Sequence, residues 1–292
     1  MIDLHSHTIY SDGSYSVVEL LKEAENKKLS ILSITDHNVV SAYDELKDEK
    51  VRNLFSGRII NGVEITTTYN GEVIEVLGYN FDLEKMRKLL EKNVLLTEQK
   101  QIKEYELIRD RYLSIGLKMD INNVVFDPKK GSCRIAFCDE IKKYPENYNF
   151  FYNQDSINTK SGFTRNEVFN PKSQLYVDES SLYPSLDKTI EIIHGSGGYA
   201  FLAHTFAYSK TIAEQLENIL KNYNLDGLEC YYTTFTNEET KYLLDTCDRL
   251  CLLKSGGSDF HGIYKINHNL GTGNGKLYIE ESLVSNWINS NK

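Results

Sequence analysis

Short apolar runs along this chain repeatedly end in a histidine or a carboxylate. The 292 residues include seven histidines, and most of them lie just past such a run: His5, His7, His37, His204 and His261. In a parallel α/β barrel the carboxyl ends of all strands meet at one rim, where active sites are built. Histidines scattered through a core would not share this position. The pattern therefore predicts a parallel α/β barrel whose rim brings these side chains to one metal site.

The first run shows the local geometry. Apolar Ile2 and Leu4 alternate with Asp3 and His5, as in a short strand. His5 and His7 have the same parity, so both imidazoles leave one face of an extended backbone. Imidazole is a common protein ligand of zinc, iron and manganese. A His-x-His spacing also arises by chance, so this pair needs the other clusters to indicate a site.

The full ligand inventory predicts more than one metal ion. Candidate ligands lie at or near the ends of the strand-like runs: His5, His7, Asp12, His37, Glu64, His204, Asp259 and His261. They exceed the roughly four to six ligands that one cation takes, so we expect two or three divalent ions. A pair of ions about 3.5 to 4 Å apart favours phosphate-ester hydrolysis, because it clamps the attacking and leaving oxygens. Histidine and carboxylate ligands suit manganese, iron and zinc alike.

The ordered motifs resemble a known family. D-L-H-S-H-T, S-D-G, I-T-D-H-N, G-V-E-I, A-H-T and G-S-D-F-H-G look like the polymerase and histidinol phosphatase (PHP) family of metal-dependent phosphoesterases. Within it, the chain looks most like the bacterial subgroup that dephosphorylates nucleotides or trims RNA from its 5′ end. The match covers residues 1 to about 80 and 185 to 265. The resemblance implies a distorted, TIM-like (β/α)7 barrel.

The resemblance also implies how the ligands divide. One ion would be held by His5, His7, Glu64 and Asp259. Glu64 would bridge to a second ion near His204, and a third would be held by Asp12, His37 and His261. A metal-bound water held by Glu64, Asp259 and His204 would be the attacking group. Asp36, beside His37, is either an acceptor for an imidazole N–H or a turn residue.

Periodicity places about seven strands along the chain. The opening reads β-α-β-α-β, which favours a parallel sheet; its third strand covers residues 58–64 and its fourth residues 72–79. A capping box of Ser16 and Glu19 begins the first helix. Residues 276–287 predict a final strand and helix packed outside the rim.

The middle of the chain has a different pattern. A long charged helical stretch begins near Leu83, and little clear periodicity follows up to Tyr183. We therefore predict a barrel domain of residues 1–82 and 185–292 and an inserted, mainly helical cap of residues 83–184. The alternative is a mobile surface insertion without function.

Basic residues in this insertion are candidates for holding substrate phosphate. The family places such residues there, and the candidates are Arg134 and Lys172. Arginine offers a bidentate fork to phosphate, whereas lysine is a point charge. The alternative for both is a solvated surface position.

Glu75 departs from the family pattern. In G-E-V-I-E-V-L-G, close relatives of the subgroup tend to carry histidine where this chain has Glu75. A carboxylate inside an apolar run needs a partner, because an unpaired buried charge is very costly. Glu75 is therefore either a metal ligand or a side chain that faces solvent or pairs with a lysine.

The resulting functional prediction is a phosphoesterase that removes phosphate from a small metabolite, with a nucleoside monophosphate or 3′,5′-bisphosphate as the expected substrate. Alternatives are a 5′-to-3′ exoribonuclease acting on short RNA ends, a histidinol-phosphate phosphatase, and a metal-binding module without turnover. The net charge of −9 argues against a broad nucleic-acid surface. Strand-sized apolar runs and the absence of a signal peptide predict a cytoplasmic protein without a membrane partner. No obligate protein partner is expected.

Overall fold

The chain forms two compact units. The computed structural model describes residues 1–95, 97–128, 132–208 and 210–289. The first unit comprises Met1–Val94 and Pro184–Lys292, and the second comprises Leu95–Tyr183.

A seven-stranded sheet organises the first unit, and its strands are neighbours in chain order. The strands are β1 Ile2–Asp3, β2 Ile31–Ile34, β3 Arg58–Tyr69, β4 Glu72–Tyr79, β5 Tyr199–Leu202, β6 Gly227–Tyr232 and β7 Leu253–Gly257. The sheet is nearly closed into a barrel. Where its ends meet, the Leu4 N–H donates to the Gly256 carbonyl at 3.2 Å, and Ser6 pairs with Phe260 in parallel.

The expectation of a parallel sheet is wrong for β4. This strand runs antiparallel to both β3 and β5, whereas the other neighbouring pairs are parallel. The cause is the two-residue turn Asn70-Gly71, whose φ angles are 51° and 83°. Two positive φ angles define the tight turn that matches the twist of a β-hairpin. Strand β3 therefore continues past Glu64 to Tyr69 and pairs back with β4.

Successive side chains along a strand point into two different apolar cores. In β2, Ile31 joins one core and Leu32 the other. In β5, Phe201 and Ala200 separate in the same way. This period of two is expected of strands with both faces buried.

The C-terminal segment completes the smaller of these two cores. Trp287 is buried and packs against Tyr79 and Phe201, with ring centroids 5.6 and 5.1 Å apart. The predicted terminal strand is wrong, since residues 276–280 are described without strand structure. A single backbone bond, from Ile2 N–H to the Ile279 carbonyl, joins this segment to β1. Burial of the indole and Ile279, rather than strand pairing, fixes the segment.

Helices flank the strands of the first unit and dominate the second. The α-helices of the described residues are α1 Val17–Asn26, α2 Ala42–Glu45, α3 Glu49–Arg52, α4 Leu83–Asn93, α5 Thr97–Ser114, α6 Cys133–Ile141, α7 Lys160–Phe163, α8 Leu186–Gly195, α9 Lys210–Glu214, α10 Leu216–Asn222 and α11 Asn237–Leu250. The predicted capping box of α1 is present in both directions between Ser16 and Glu19. Shorter helical turns are Ile121–Asn123, Pro145–Phe150, Gln154–Asn158, Thr164–Val168, Ser180–Leu182, Thr205–Ala207, Gly262–Tyr264 and Glu281–Val284.

The second unit is helical and has a core of its own. Ile108 and Tyr112 of α5 pack with Phe137 of α6 and with Phe163. Helix α4, which the sequence analysis assigned to the insertion, instead buries Met86 and Leu90 in the core of the first unit. That residues 83–184 act as a cap stays a prediction. Among the described residues, no helix combines the length and apolar character needed to cross a membrane.

Candidate metal centre and active site

The structure brings together all nine side chains that the sequence analysis named as metal ligands. They form four overlapping groups whose ligand atoms lie within 4.8 Å of one another: His7, Asp12, His37 and His261; His5, His7 and Glu64; His5, His204 and Asp259; His37, Glu64 and Glu75. Most of these residues follow the carboxyl end of a strand. Glu64 and Glu75 differ because they lie within the β3–β4 hairpin.

Glu64 is the centre of the cluster. Its Oε1 lies 3.0 Å from Nε2 of His204. Its Oε2 lies 3.2 Å from Nε2 of both His5 and His7 and 3.4 Å from Nδ1 of His37. Four imidazoles therefore converge on one buried carboxylate, which is the arrangement expected of a bridging ligand.

The two oxygens of Asp259 face different partners. Oδ1 lies 3.5, 3.4 and 3.3 Å from nitrogens of His5, His7 and His261. Oδ2 accepts a hydrogen bond from the Tyr232 hydroxyl at 2.7 Å and pairs with the Lys265 ammonium. One oxygen is thus directed at the imidazoles, while the other is held by two donors.

The outer part of the cluster is more accessible. Asp12, whose side chain is 56% exposed, lies 3.2 Å from Nε2 of His261 and 3.6 Å from Nε2 of His37. Partial burial raises the pKa of Asp12, but the nearby imidazoles outweigh it, so the pKa falls below its usual range. The cluster therefore has a buried inner part and a solvent-exposed side chain, Asp12, at its outer part.

Glu75 faces the cluster rather than a lysine. Its Oε1 lies 3.5 Å from Nδ1 of His37, and its Oε2 lies 3.3 Å from Nε2 of His204. The Tyr208 hydroxyl accepts a hydrogen bond from the Glu75 N–H at 2.7 Å. Since Thr66 pairs with Glu75 in the hairpin, Glu75 and Glu64 share one face of the sheet.

Two residues of the cluster have strained backbones. His204 has a φ of 23° and Asp259 a φ of 56°. Non-glycine residues in this region cost of order 1–3 kcal/mol and cluster at functional sites. The surrounding structure therefore holds these two side chains in place against a local preference.

The donor set fits divalent metal ions. Nε2 of His5 and His7 and Nδ1 of His37 and His204 are buried without a hydrogen-bond partner among the described residues. Buried polar atoms are normally satisfied, and a cation beside Glu64 would satisfy those of His5, His7 and His37; the His204 nitrogen that faces Glu64 and Glu75 is Nε2. Burial lowers the pKa of His7 and His204, but the carboxylates outweigh it. Contacts with Asp259 and Glu64 raise the pKa of His7 to about 9, and contacts with Glu64 and Glu75 raise that of His204 to about 10.

Three residues beside the cluster were missed by the sequence analysis: Glu229, Tyr232 and Lys265. Glu229 lies in β6 between Leu228 and Cys230 and is fully buried. A charged residue inside an apolar strand was the available signal, because such a charge requires a partner. No local pattern singled out Tyr232 or Lys265. Tyr232 ends β6, whereas its partner Asp259 follows β7, and Lys265 reaches Asp259 from further along the segment after β7.

Asp36 was expected to be either an acceptor for an imidazole N–H or a turn residue, and its hydrogen bonds show a different role. It accepts hydrogen bonds from the Thr8 N–H at 2.7 Å, the Thr8 hydroxyl at 2.6 Å and the Ser11 hydroxyl at 2.6 Å. It therefore fixes the loop that follows His7.

Arg134 and Lys172 lie in the second unit. Arg134 is largely buried and pairs with Glu104 and Glu179, both at 2.8 Å. Lys172 is exposed. Their assignment as substrate contacts stays a prediction, and for Arg134 it would require exchange of carboxylate partners for phosphate.

The near-closed barrel and the histidine–carboxylate cluster define a metal-dependent hydrolase. The family described as "PHP domain" matches residues 3–244, so the chain belongs to the PHP family of metal-dependent phosphoesterases. The resemblance drawn from the motifs is thereby confirmed.

Individual relatives agree with this assignment. The chain is 28% identical over 261 residues to a 5′-3′ exoribonuclease of Haemophilus influenzae, covering 89% of each chain. It is 26% identical over 263 residues to a 3′,5′-nucleoside bisphosphate phosphatase of Chromobacterium violaceum, covering 89% of this chain and 87% of the relative. A solved structure described as a metal-dependent phosphoesterase of Bifidobacterium adolescentis has the same fold, with a TM-score of 0.64 at 23% identity over 98% of this chain and 94% of the other.

Proposed function

We propose that this phosphoesterase removes a phosphate from a nucleotide, either a nucleoside monophosphate or a nucleoside 3′,5′-bisphosphate. The observation that carries the proposal is the convergence of four imidazoles on Glu64, with further carboxylates around them. Such a set has room for more than one cation. The Chromobacterium violaceum relative is a 3′,5′-nucleoside bisphosphate phosphatase by its name, which supports a nucleotide substrate.

The proposed cofactors are two or three ions of manganese, iron or zinc. Bound there, the ions would supply an acidified water and neutralise charge on the phosphate. The inner ligands are His5, His7, Glu64, His204 and Asp259, and the outer ligands are Asp12, His37 and His261. The inner set is buried, so it excludes bulk water from the reacting phosphate. The exposed side chain of Asp12 leaves the outer set open to substrate.

A second candidate is a 5′-to-3′ exoribonuclease that uses the same site. The identity to the Haemophilus influenzae exoribonuclease favours it. The net charge of −9 argues against it, because phosphate contacts along an RNA require a basic surface.

A substrate screen separates these candidates. We expect phosphate release from nucleoside 3′,5′-bisphosphates or monophosphates to exceed release of mononucleotides from 5′-phosphorylated RNA. Little dependence on salt is expected for a small substrate, whereas an RNA-binding enzyme would lose activity steeply as salt rises. The Asp259→Asn variant is the matched control for contaminating phosphatases. Faster, salt-sensitive release of mononucleotides from RNA would reject the proposed phosphatase in favour of the exoribonuclease. Preferred cleavage of histidinol phosphate would reject both functions.

We also propose that Glu75 is a metal ligand in this chain. Its two oxygens face His37 and His204, where the family tends to supply a histidine. A carboxylate adds negative charge at this position and favours harder cations such as manganese or iron.

Substitution of Glu75 tests this ligand role. We expect Glu75→Ala to lose about one metal equivalent, because one cation loses a carboxylate ligand, and Glu75→His to retain both metal and activity. The measurement is elemental analysis of the purified variants alongside phosphate release. Full metal content in Glu75→Ala would contradict the ligand role. Glu75→Gln keeps an oxygen at the same position but removes the negative charge, so it shows whether metal binding requires that charge.

A further inference from the structure

We propose that Glu229 is a positioning residue that fixes two metal ligands at once: it selects the nitrogen through which His5 binds metal, and it holds the strained backbone of His204. This inference rests on the proposed metal site. It concerns the carboxylate of β6 that contacts the ligands and is itself absent from the four ligand groups.

The two oxygens of Glu229 are each used by a different ligand residue. Oε1 lies 2.8 Å from Nδ1 of His5. Oε2 accepts a hydrogen bond from the His204 N–H at 2.8 Å. Glu229 is fully buried, so neither oxygen is shared with solvent. One side chain from β6 therefore joins the ligand after β1 to the ligand after β5.

The contact with His5 determines its tautomer. An ionised carboxylate can only accept hydrogen bonds, so Nδ1 of His5 must carry a proton. In the neutral imidazole the lone pair is then on Nε2. That atom lies 3.2 Å from Glu64 and 3.5 Å from Asp259, and it has no hydrogen-bond partner among the described residues. Glu229 thus directs the free nitrogen of His5 toward the other predicted ligands.

The contact with His204 acts on the backbone. His204 has φ 23° and ψ 54°, a conformation that a residue adopts only when its surroundings require it. The hydrogen bond to Oε2 holds the N–H of this residue in place. The adjacent Ala203 N–H donates to the Glu75 carbonyl at 3.1 Å. Together these bonds set the direction in which the His204 imidazole leaves the end of β5.

The Glu229→Gln variant tests the inference with almost no change in volume. The amide has one acceptor and one donor group, so it cannot accept from both partners. If its NH2 group faces His5, it donates to Nδ1 and moves the imidazole proton to Nε2, which blocks metal binding. If its NH2 group faces His204, two donors oppose each other. Either orientation therefore disrupts the contact that positions one of the two proposed metal ligands, His5 or His204.

We expect Mn²⁺ to bind Glu229→Gln 10- to 100-fold more weakly, the range typical for loss of an outer partner of a ligand. Equilibrium dialysis measures this binding without using activity. Glu167→Gln is the matched control, because Glu167 is also a buried glutamate and its partners Tyr152, Asn153 and Ser173 are all in the second unit. The control should leave Mn²⁺ binding unchanged. Equal affinity of Glu229→Gln and the unaltered protein would overturn the inference.

A measurement on the unaltered protein covers the case in which Glu229→Gln fails to fold. In the zinc-loaded protein, ¹⁵N NMR should show His5 protonated at Nδ1 and metal-bound at Nε2, with its ring signals assigned by through-bond correlation to the His5 backbone. Coordination through Nδ1 would reject the inference while leaving the proposed function intact. If the unaltered protein binds no divalent metal, the proposed function itself fails, so the two failures are distinguishable.

Discussion

Replacing Glu64 by alanine is expected to remove bound metal and to lower phosphatase activity by roughly 10³-fold or more. The physical reason is that its two oxygens lie within 3.0 to 3.4 Å of nitrogens from four histidines. Without this carboxylate the four imidazoles lose the anion on which they converge, and the two ions that Glu64 is expected to bridge each lose a ligand. Metal ions supply several kcal/mol of transition-state stabilisation, and each 1.36 kcal/mol is a factor of ten in rate.

The barrel should stay folded in Glu64→Ala. Trp287 is the single tryptophan of the chain and is buried against Tyr79 and Phe201, so its fluorescence reports on the first unit. Metal content, phosphate release and this fluorescence are measured together. Glu84→Ala, at an exposed position of α4, is the control and should match the unaltered protein. Retained metal and activity with native fluorescence would contradict the shared-site assignment, which His5→Ala and Asp259→Ala test in the same way.

Replacing Arg134 by methionine is expected to destabilise the second unit by about 3–5 kcal/mol, the cost of removing one partner from a buried ion pair. Arg134 pairs with Glu104 and Glu179, whose side chains are 0% and 2% exposed. Burial raises the pKa of Glu179, Arg134 opposes that shift, and Glu104 adds to it. Without the guanidinium, two carboxylates face each other with little solvent. Amide exchange in α5 and α6 measures the loss.

A compensating variant distinguishes lost charge pairing from lost packing. Glu104→Gln and Glu179→Gln, added to Arg134→Met, should recover much of the stability, because a neutral cluster no longer contains unpaired charges. Failure to recover would mean that packing of the guanidinium, which lies 4.5 Å from the Phe169 ring centroid, dominates. The KM of this folded triple variant also tests the predicted substrate role. If Arg134 contacts the substrate phosphate, KM should rise by an amount that corresponds to a loss on the order of 1.5 to 3 kcal/mol in binding. An unchanged KM would mean that Arg134 serves only the stability of its own unit.

The sequence by itself singled out the side chains that the structure brings into one cluster, and their role as metal ligands stays a prediction. His5 and His7 share a face because side chains alternate along a strand, and this depends only on local backbone geometry. The same period of two placed Ile31 and Leu32 in different cores. The capping box of Ser16 and Glu19 was also predictable, since its two hydrogen bonds join residues three positions apart.

The tertiary structure decided the features that depend on distant partners. The Asn70-Gly71 turn is a local signal that reverses β4 and carries Glu75 onto the face that holds Glu64, but the pairing of β4 with β5 joins segments that are far apart in the chain. Glu229 bonds to residues more than twenty positions away, and Arg134 is paired with Glu104 and Glu179, so neither contact has a local signature. The alternation of side chains along a strand and the capping of a helix depend on residues that are close together in the chain, so the sequence pattern predicts them. The partner of a buried charge is fixed only when the folded chain brings separate elements within hydrogen-bonding distance.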